Sequence, residues 1–495
     1  GAGKVENITI LDTGTETLAK NITYTPGDDE AFAAAASVGE FMGGTTEFVI
    51  QPVADAWTSM TDAAGVTTAR TLDPSNRRIT SAVTGTASVS LTYDGKGNVL
   101  SSAASGGPSW TYTYTDLGSP DVNLVSTATQ AGAGTTSYGY FTTGIRRGLL
   151  ESTVNGLEET TQYSYDDNGF LASTLDARQK AWTVTQVNAF GQPLQIRSPM
   201  QRLMSYTYSP TGQVTAQTDI FGFTNRFSYD AQDRPVASSQ PNGAGQSAAL
   251  DPLGRAIRSS DELQRVSEYS YDALGRQVRA KVPGLADAET TYVRNGNVYV
   301  VTQTRAGRTL GVSEVDLAGR TVRTSVPRVL DHAQPAVTCT TEYGYSTGEG
   351  WLASSTDARG YTTSYEYDAA GRLTKTRLPE GGEWVTVFDA AGRVTSRRDP
   401  DGRVSGYSYD ALSRVTQGTN PKGGTIGTAF DETGNVLNST PSVGNGESYT
   451  YDDDGVTLTH TDTLGRVHAL SLDLAAKRYT VQTDNNPNRA ATTGW

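Results

Sequence analysis

"YEYDAAGRLTK", residues 365–375, holds two tyrosines one residue apart, an aspartate, and a glycine three places after it. The same spacing returns along most of the chain. Aligned on its aspartate, the stretch gives Asp368, Asp389, Asp410, Asp431, Asp452 and Asp473, five consecutive steps of 21 residues. Farther back the position is held by Asp166, Asn188, Ser209, Asp230, Asp251 and Asp272, and then by Arg294 and Asp316. An active site needs its residues once. A pattern reused at a fixed period marks a structural unit that stacks on copies of itself.

A second turn signal lies 11 residues before many of these anchors: "DARG" at Asp357, "DPDG" at Asp399, "NPKG" at Asn420 and "DTLG" at Asp462. Each unit therefore has two turns and two legs. A leg of about six or seven residues at ~3.3 Å per residue is a strand of about 20 Å. The unit reads as a β-hairpin of 21 residues, and the chain as an antiparallel meander of such hairpins. The fold class is all-β. Composition agrees, with 53 Gly, 25 Tyr, only 4 Met and 36% hydrophobic residues describing many strands and turns and few amphipathic helices.

Turn chemistry explains the aspartate and the glycine. Asp or Asn at the first turn position accepts a hydrogen bond from the backbone two residues on, and Gly at the fourth takes the left-handed conformation without a Cβ clash. "DAAG" and "DALG" fit a type I turn followed by a glycine bulge. Asp410 followed by Ser413, and Asp473 followed by Ala476, predict strained turns.

Tyrosines two apart project from one face of a strand. Such aromatic doublets, among them Tyr206/Tyr208, Phe227/Tyr229, Tyr269/Tyr271, Tyr365/Tyr367, Tyr407/Tyr409 and Tyr449/Tyr451, include 19 of the 25 tyrosines. Stacked hairpins line them into a stripe whose cross-strand contacts contribute a few tenths to ~1 kcal/mol each. After the glycine comes a polar residue and then an aliphatic one, as in Arg372-Leu373, Arg393-Val394, Asn435-Val436 and Arg466-Val467. An ion pair from such an arginine to the turn aspartate is expected at the sheet rim, contributing ~0–1 kcal/mol.

The 495 residues carry a net charge of −13 and a pI near 4.8, which weighs against nucleic acid or an anionic membrane as partner, because both reward a concentrated basic face. The single cysteine, Cys339, has no thiol partner in the chain for a disulfide or a zinc knuckle and is expected as a free buried thiol. The longest small-apolar run, "AFAAAASV" at 31–38, is far short of the ~20 residues of a spanning helix.

"YDAAGR", "YDALGR" and "FDAAGR", set in the 21-residue register, resemble the YD-repeat (RHS-repeat) family, over roughly residues 60–480 and most clearly over 160–320 and 343–475. That family includes the C components of Tc toxins, Rhs effectors of bacterial secretion systems and the teneurin shells. The resemblance implies a β-strip that spirals into a hollow shell, a container more than a catalyst. It implies a toxin or effector cargo or the rest of a longer parent shell as partner, with a secretion-system or B-component-like partner beside it, and a secreted or cell-surface location. The toxin members self-cleave at a D-P-x-G segment followed by a longer glycine-rich run. "DPLG" at Asp251 and "DPDG" at Asp399 match only those four letters and lie on the repeat or its half-step, so they read as ordinary turns and no protease residue is carried over. The sequence reaches Trp495 without a distinct toxin domain, which leads to the expectation of a longer parent or a partner that continues the wall.

Two regions are expected: an irregular segment 1–60, with a short helix over 28–42 capped by Asp28 or Asp29, and the repeat shell over 61–495. Longer loops are expected within 116–165 and 316–346. Other motifs are weighed against the repeat. "GYSTG" at 344–348 has the spacing of a nucleophile elbow around Ser346, but a strand leads into it and strand-like sequence follows, where the elbow needs a helix. His332, His460 and His468 form no metal-ligand spacing, and "YDDDG" at 451–455 lacks the alternating ligands of a calcium loop. Sequons at Asn7, Asn21 and Asn438 bear only on a eukaryotic secretory route. No catalytic residue, cofactor or metal ligand is assigned. The first reading is a non-enzymatic shell wall for a toxin or effector cargo. The second is an extracellular adhesion or surface scaffold of the same repeats, and a serine hydrolase using Ser346 is the remote third.

Overall fold

The structure, a computed structural model, describes residues 22–26, 33–39, 45–51, 56–62, 64–76, 78–118, 123–328, 337–473, 478–483 and 491–494. Over these residues it is all-β: forty-three strands in one sheet. Each strand pairs antiparallel with the strands before and after it in sequence, so the sheet is a continuous meander of hairpins. No helix among the described residues is long and apolar enough to cross a membrane.

One unit shows why the repeat folds this way. Strand Thr362–Tyr367 runs into the Asp368 turn and returns as Leu373–Arg377, with a bulge between Glu366 and Tyr367. Asp368 Oδ1 accepts from the N–H groups of Ala370 and Arg372, each at 3.0 Å. Gly371 donates its N–H to the Asp368 carbonyl and holds φ at 78°, which fixes the glycine bulge that the sequence predicts. Ser413, in the glycine position of the Asp410 turn, is forced to φ 64°, as expected; Gln179, Gln201, Asp233 and Gln264 are further non-glycine residues in that region. Asp473–Ala476 runs into residues outside those described.

A single sheet with both faces open has almost no interior. The surface is 28631 Å², whereas a compact 52.5 kDa monomer exposes roughly 17,600 Å². Among the described residues the buried apolar side chains are Val66, Ala216, Tyr299 and Ala391. Cohesion therefore rests on the hydrogen-bonded ladder, the turns and the contacts between neighbouring hairpins.

Three expectations need correction. In the described part of 28–42 there is no helix: Ala33–Gly39 is a strand, paired on one side with Ile22–Pro26 and on the other with Thr45–Gln51. An alanine run favours helix by propensity, but two flanking strands offer its backbone a complete ladder, and context overrides propensity. Pairing continues across residue 60 through Ala56–Thr61 and Thr67–Leu72. Arg294 heads no turn; it lies within strand Ala288–Asn295, and the chain reverses after Asn295. Cys339 is free but half-buried, in strand Val337–Tyr345. Of the two expected long loops, the one in 116–165 spans 141–149, closed by Phe141 N–H to Leu149 O at 3.0 Å, whereas 329–336 lies outside the described residues.

Candidate functional site: the stitches between hairpins and the seam between coils

Four residue types of the repeat meet at many steps along the strip. The second tyrosine of a doublet donates its hydroxyl to a carbonyl 15 residues earlier, in the preceding hairpin: Tyr409 to Val394 at 2.6 Å, Tyr271 to Ala256 at 2.8 Å, Tyr229 to Val214 at 2.9 Å. Burial pushes up the phenols of Tyr140 and Tyr208, which donate to Val125 O at 2.8 Å and Pro193 O at 2.9 Å. The arginine after the glycine grips its own turn, as Arg393 Nε does at 2.8 Å from Asp389 Oδ2. The same guanidinium covers the aromatic ring of the next unit: Arg393 over Tyr409 at 4.7 Å, Arg414 over Phe430 at 4.4 Å, Arg276 over Tyr292 at 4.4 Å. These ion pairs are more buried than the rim position the sequence suggests, with 10% of the Arg276 side chain and 16% of Arg393 exposed. Burial opposes ionisation of Asp389, and the Arg393 N–H and guanidinium outweigh it, holding its carboxyl below the ordinary 3.8.

Far larger separations appear at one edge of the strip. Turns of residues 84–202 meet turns of residues 346–455, so the strip coils round and lies against itself. Glu349 Oε1 accepts from the Thr86 N–H at 2.8 Å and its hydroxyl at 2.9 Å, which holds the Glu349 carboxyl below its usual range. Ser105 Oγ donates to Ala369 O at 3.0 Å, and Gln130 Nε2 to Ala391 O at 3.1 Å. Arg372 Nη2 reaches Gly106 O at 2.6 Å and Arg393 Nη2 reaches Gly132 O at 2.7 Å. The repeat arginine thus serves its own turn, the next hairpin and the next coil.

Glycines let the edges approach. A Cβ on Gly134 would sit 2.8 Å from Ala411 O, and one on Gly107 2.9 Å from Ala370 Cβ. The far end of the seam is ionic. Arg202 Nη2 lies 2.7 Å from Asp452 Oδ2, and its Nη1 3.1 Å from Asp454 Oδ2. Asp454, with none of its side chain exposed, also accepts from Ser198 Oγ at 2.8 Å and Met200 N–H at 2.9 Å. Lys180 Nζ is 3.0 Å from Asp453 Oδ2. "YDDDG" is therefore the expected turn, closed by Gly455 N–H to Asp452 O at 3.0 Å, with its additional acids spent on the seam.

The hydrogen-bonded partners lie 250 to 275 residues apart in sequence, or roughly twelve 21-residue hairpins per coil. About 24 strands at ~4.8 Å give a circumference near 115 Å and a mean diameter on the order of 35 Å. A coil of that size encloses space beyond what its own side chains fill.

The residues singled out for chemistry do not converge. Ser346 Oγ is 3.0 Å from Glu349 Oε2 and accepts from the Trp351 N–H at 3.1 Å, so it caps a turn between two strands and positions the glutamate of the seam. His460 and His468 stack on each other at 5.7 Å, and His460 on Tyr449 at 4.7 Å, in the last described hairpins. His332 lies outside the described residues. Asp251 and Asp399 head ordinary turns, each closed at 2.9 Å by the glycine three places on. No group of three or more His, Cys, Asp or Glu side chains among the described residues is placed to hold a metal ion.

The fold and its stitches define a β-strip of RHS type, and comparison with known proteins agrees. The RHS Repeat family matches residues 208–244, 341–383 and 388–425. Solved structures with the same fold include the TcdB2–TccC3–Cdc42 complex (13% identity, TM-score 0.59, 96% of this chain and 35% of that one), TcdB2–TccC3–TEV (12%, 0.57, 96% and 35%) and TcdB2–TccC3 (13%, 0.54, 96% and 33%). No curated protein matches in sequence. The matched segments carry RHS repeats, and the chain is similar in fold to RHS-repeat proteins. It spans about a third of the length of the chains it resembles in fold.

Proposed function

We propose that this chain is a non-enzymatic wall segment of a hollow YD-repeat shell that surrounds a toxin or effector polypeptide for delivery outside the cell. The observation that carries the reading is the seam. A strip that returns every 250 to 275 residues and bonds edge to edge forms a continuous wall, where an open ribbon would expose both edges to solvent. The turn edges of the two coils that meet no neighbour are where the rest of a longer shell, or a second shell component, would continue it. A structural relative whose C-terminal region is described as hypervariable supports an enclosed segment that varies while the wall does not.

Electron microscopy of the intact parent protein, with mass analysis of any chain released on denaturation, tests the proposal. A walled particle holding a less ordered polypeptide is expected. An empty strip or filament would overturn the container reading in favour of an adhesion scaffold.

A further inference from the structure

The aromatic stripe has a gap. Of the strands that enter the anchors from Asp166 to Asp272, Gly245–Leu250 is the one with no aromatic residue: the doublet positions hold Ala248 and Leu250. Its neighbours Thr224–Tyr229 and Val266–Tyr271 carry Phe227/Tyr229 and Tyr269/Tyr271. Pairing puts Phe227, Ser238 and Gln246 in one row and Ala248, Ser259 and Ser267 in the next, all on the aromatic face. At this gap the sheet has a hollow of about 650 Å³, lined by Phe227, Ser238, Ala248, Ser259 and, at its far wall, Leu285.

Elsewhere the first tyrosine of a doublet fills this place and sets its hydroxyl against a serine ten residues earlier: Tyr269 with Ser259 at 3.3 Å, Tyr365 with Ser355 at 3.1 Å. In the gapped unit the equivalent serine is Ser238, and the residue that would bring the phenol is Ala248. The second tyrosine is missing as well, so Pro235 receives no phenol of the kind that Val214 receives from Tyr229 and Ala256 from Tyr271. The half-buried hollow keeps the shape and the hydroxyl of a tyrosine site without the tyrosine.

We propose that this hollow binds a phenolic ring, supplied by a tyrosine side chain of an extended polypeptide held against the aromatic face. The ring lies over Ala248 beside Phe227, with its hydroxyl on Ser238 Oγ. The volume exceeds one ring and falls in the range of pockets that take ligands with flanking groups, and the Asp261–Arg265 ion pair at its margin offers a charged acceptor and donor to a peptide backbone. The choice of a polypeptide rests on the container reading; the ring site itself does not.

The test uses the whole chain, with p-cresol, toluene and a capped pentapeptide with a central tyrosine as probes in ligand-observed NMR titrations. p-Cresol is expected to bind more tightly than toluene, and the peptide at least tenfold more tightly than p-cresol. Ala248→Tyr fills the site from within and is expected to weaken both by at least tenfold. Ser238→Ala, which leaves the packing intact, is expected to erase the preference for p-cresol over toluene. Unchanged p-cresol binding in Ala248→Tyr, or a preference that survives Ser238→Ala, would overturn the ring site. A peptide no tighter than p-cresol would overturn the polypeptide assignment. These outcomes are read on the chain alone, so a failure of the container reading in electron microscopy is distinguishable from a failure here.

Discussion

Replacing Arg393 with alanine separates what holds a hairpin to its neighbour from what holds one coil to the next. Its side chain is 16% exposed and makes an ion pair to Asp389, hydrogen bonds to Asp410 O at 3.0 Å and to Gly132 O at 2.7 Å, and a stack on Tyr409. Arg255 is the control, with the same ion pair to Asp251 at 2.7 Å and the same stack on Tyr271 at 4.6 Å, but with no bond to another coil among the described residues. A hydrogen bond from a charged group contributes about 1.5–3 kcal/mol, or about a 10- to 150-fold change in a local opening equilibrium. Hydrogen exchange is the assay, because a long repeat array has no single unfolding free energy. Arg393→Ala is expected to speed exchange at residues 130–134, whose amides are held by Ala131 N–H to Ser109 O and Ala133 N–H to Gln130 O, as well as around Asp389. Arg255→Ala is expected to speed exchange only near its own hairpins. Unchanged protection at 130–134 in Arg393→Ala would refute the reasoning.

Three further outcomes follow from the same geometry. Tyr409→Phe removes the hydroxyl that reaches Val394 O at 2.6 Å and is expected to destabilise that hairpin step by about 1 kcal/mol, read as faster exchange at 394–398. Gln264→Gly replaces a side chain at φ 59° with the residue that neighbouring turns use there, and is expected to stabilise its turn by about 0.5–1 kcal/mol, read as slower hydrogen exchange at 260–266. The carboxyls of Asp368, Asp389 and Asp410 are held below 3.8, because the hydrogen bonds and ion pairs of their turns outweigh burial. A depressed folded pKa gives stability that is complete above the unfolded value and is lost as pH falls through the folded one. Circular dichroism should therefore stay flat from neutral pH to about 4 and fall below it; loss beginning near pH 6 would contradict the assignment to these carboxyls.

Much of this was legible in the sequence, because each hairpin is specified locally. The tyrosine doublets give strand direction and face, Asp and Gly give the turn and its bulge, and Arg372 or Arg393 gives the ion pair four residues from its aspartate. The cation–π contact was within reach too, since Arg393 and Tyr409, like Arg255 and Tyr271, are 16 residues apart. What the sequence hides depends on accumulated curvature. Nothing near Gly132 names Arg393 as its partner, because the match depends on the twist added by every strand between them. The only local sign is the crowding of glycine at 106–107 and 132–134, which marks close approach without saying to what. The strand at Ala33–Gly39 was missed for the opposite reason: its alanines carry a helical preference, and the pairing that overrides it comes from its neighbours.

The central claim is that the strip coils back to bond with itself, and zero-length carbodiimide cross-linking with mass spectrometry tests it most directly. Lys180 Nζ and Asp453 Oδ2, 273 residues apart in sequence, lie 3.0 Å from each other and both are partly exposed. The account predicts a Lys180–Asp453 link in the intact chain, lost in Lys180→Arg, beside a local link such as Lys96–Asp116. Local links alone, with none joining residues 176–202 to 431–455, would contradict it.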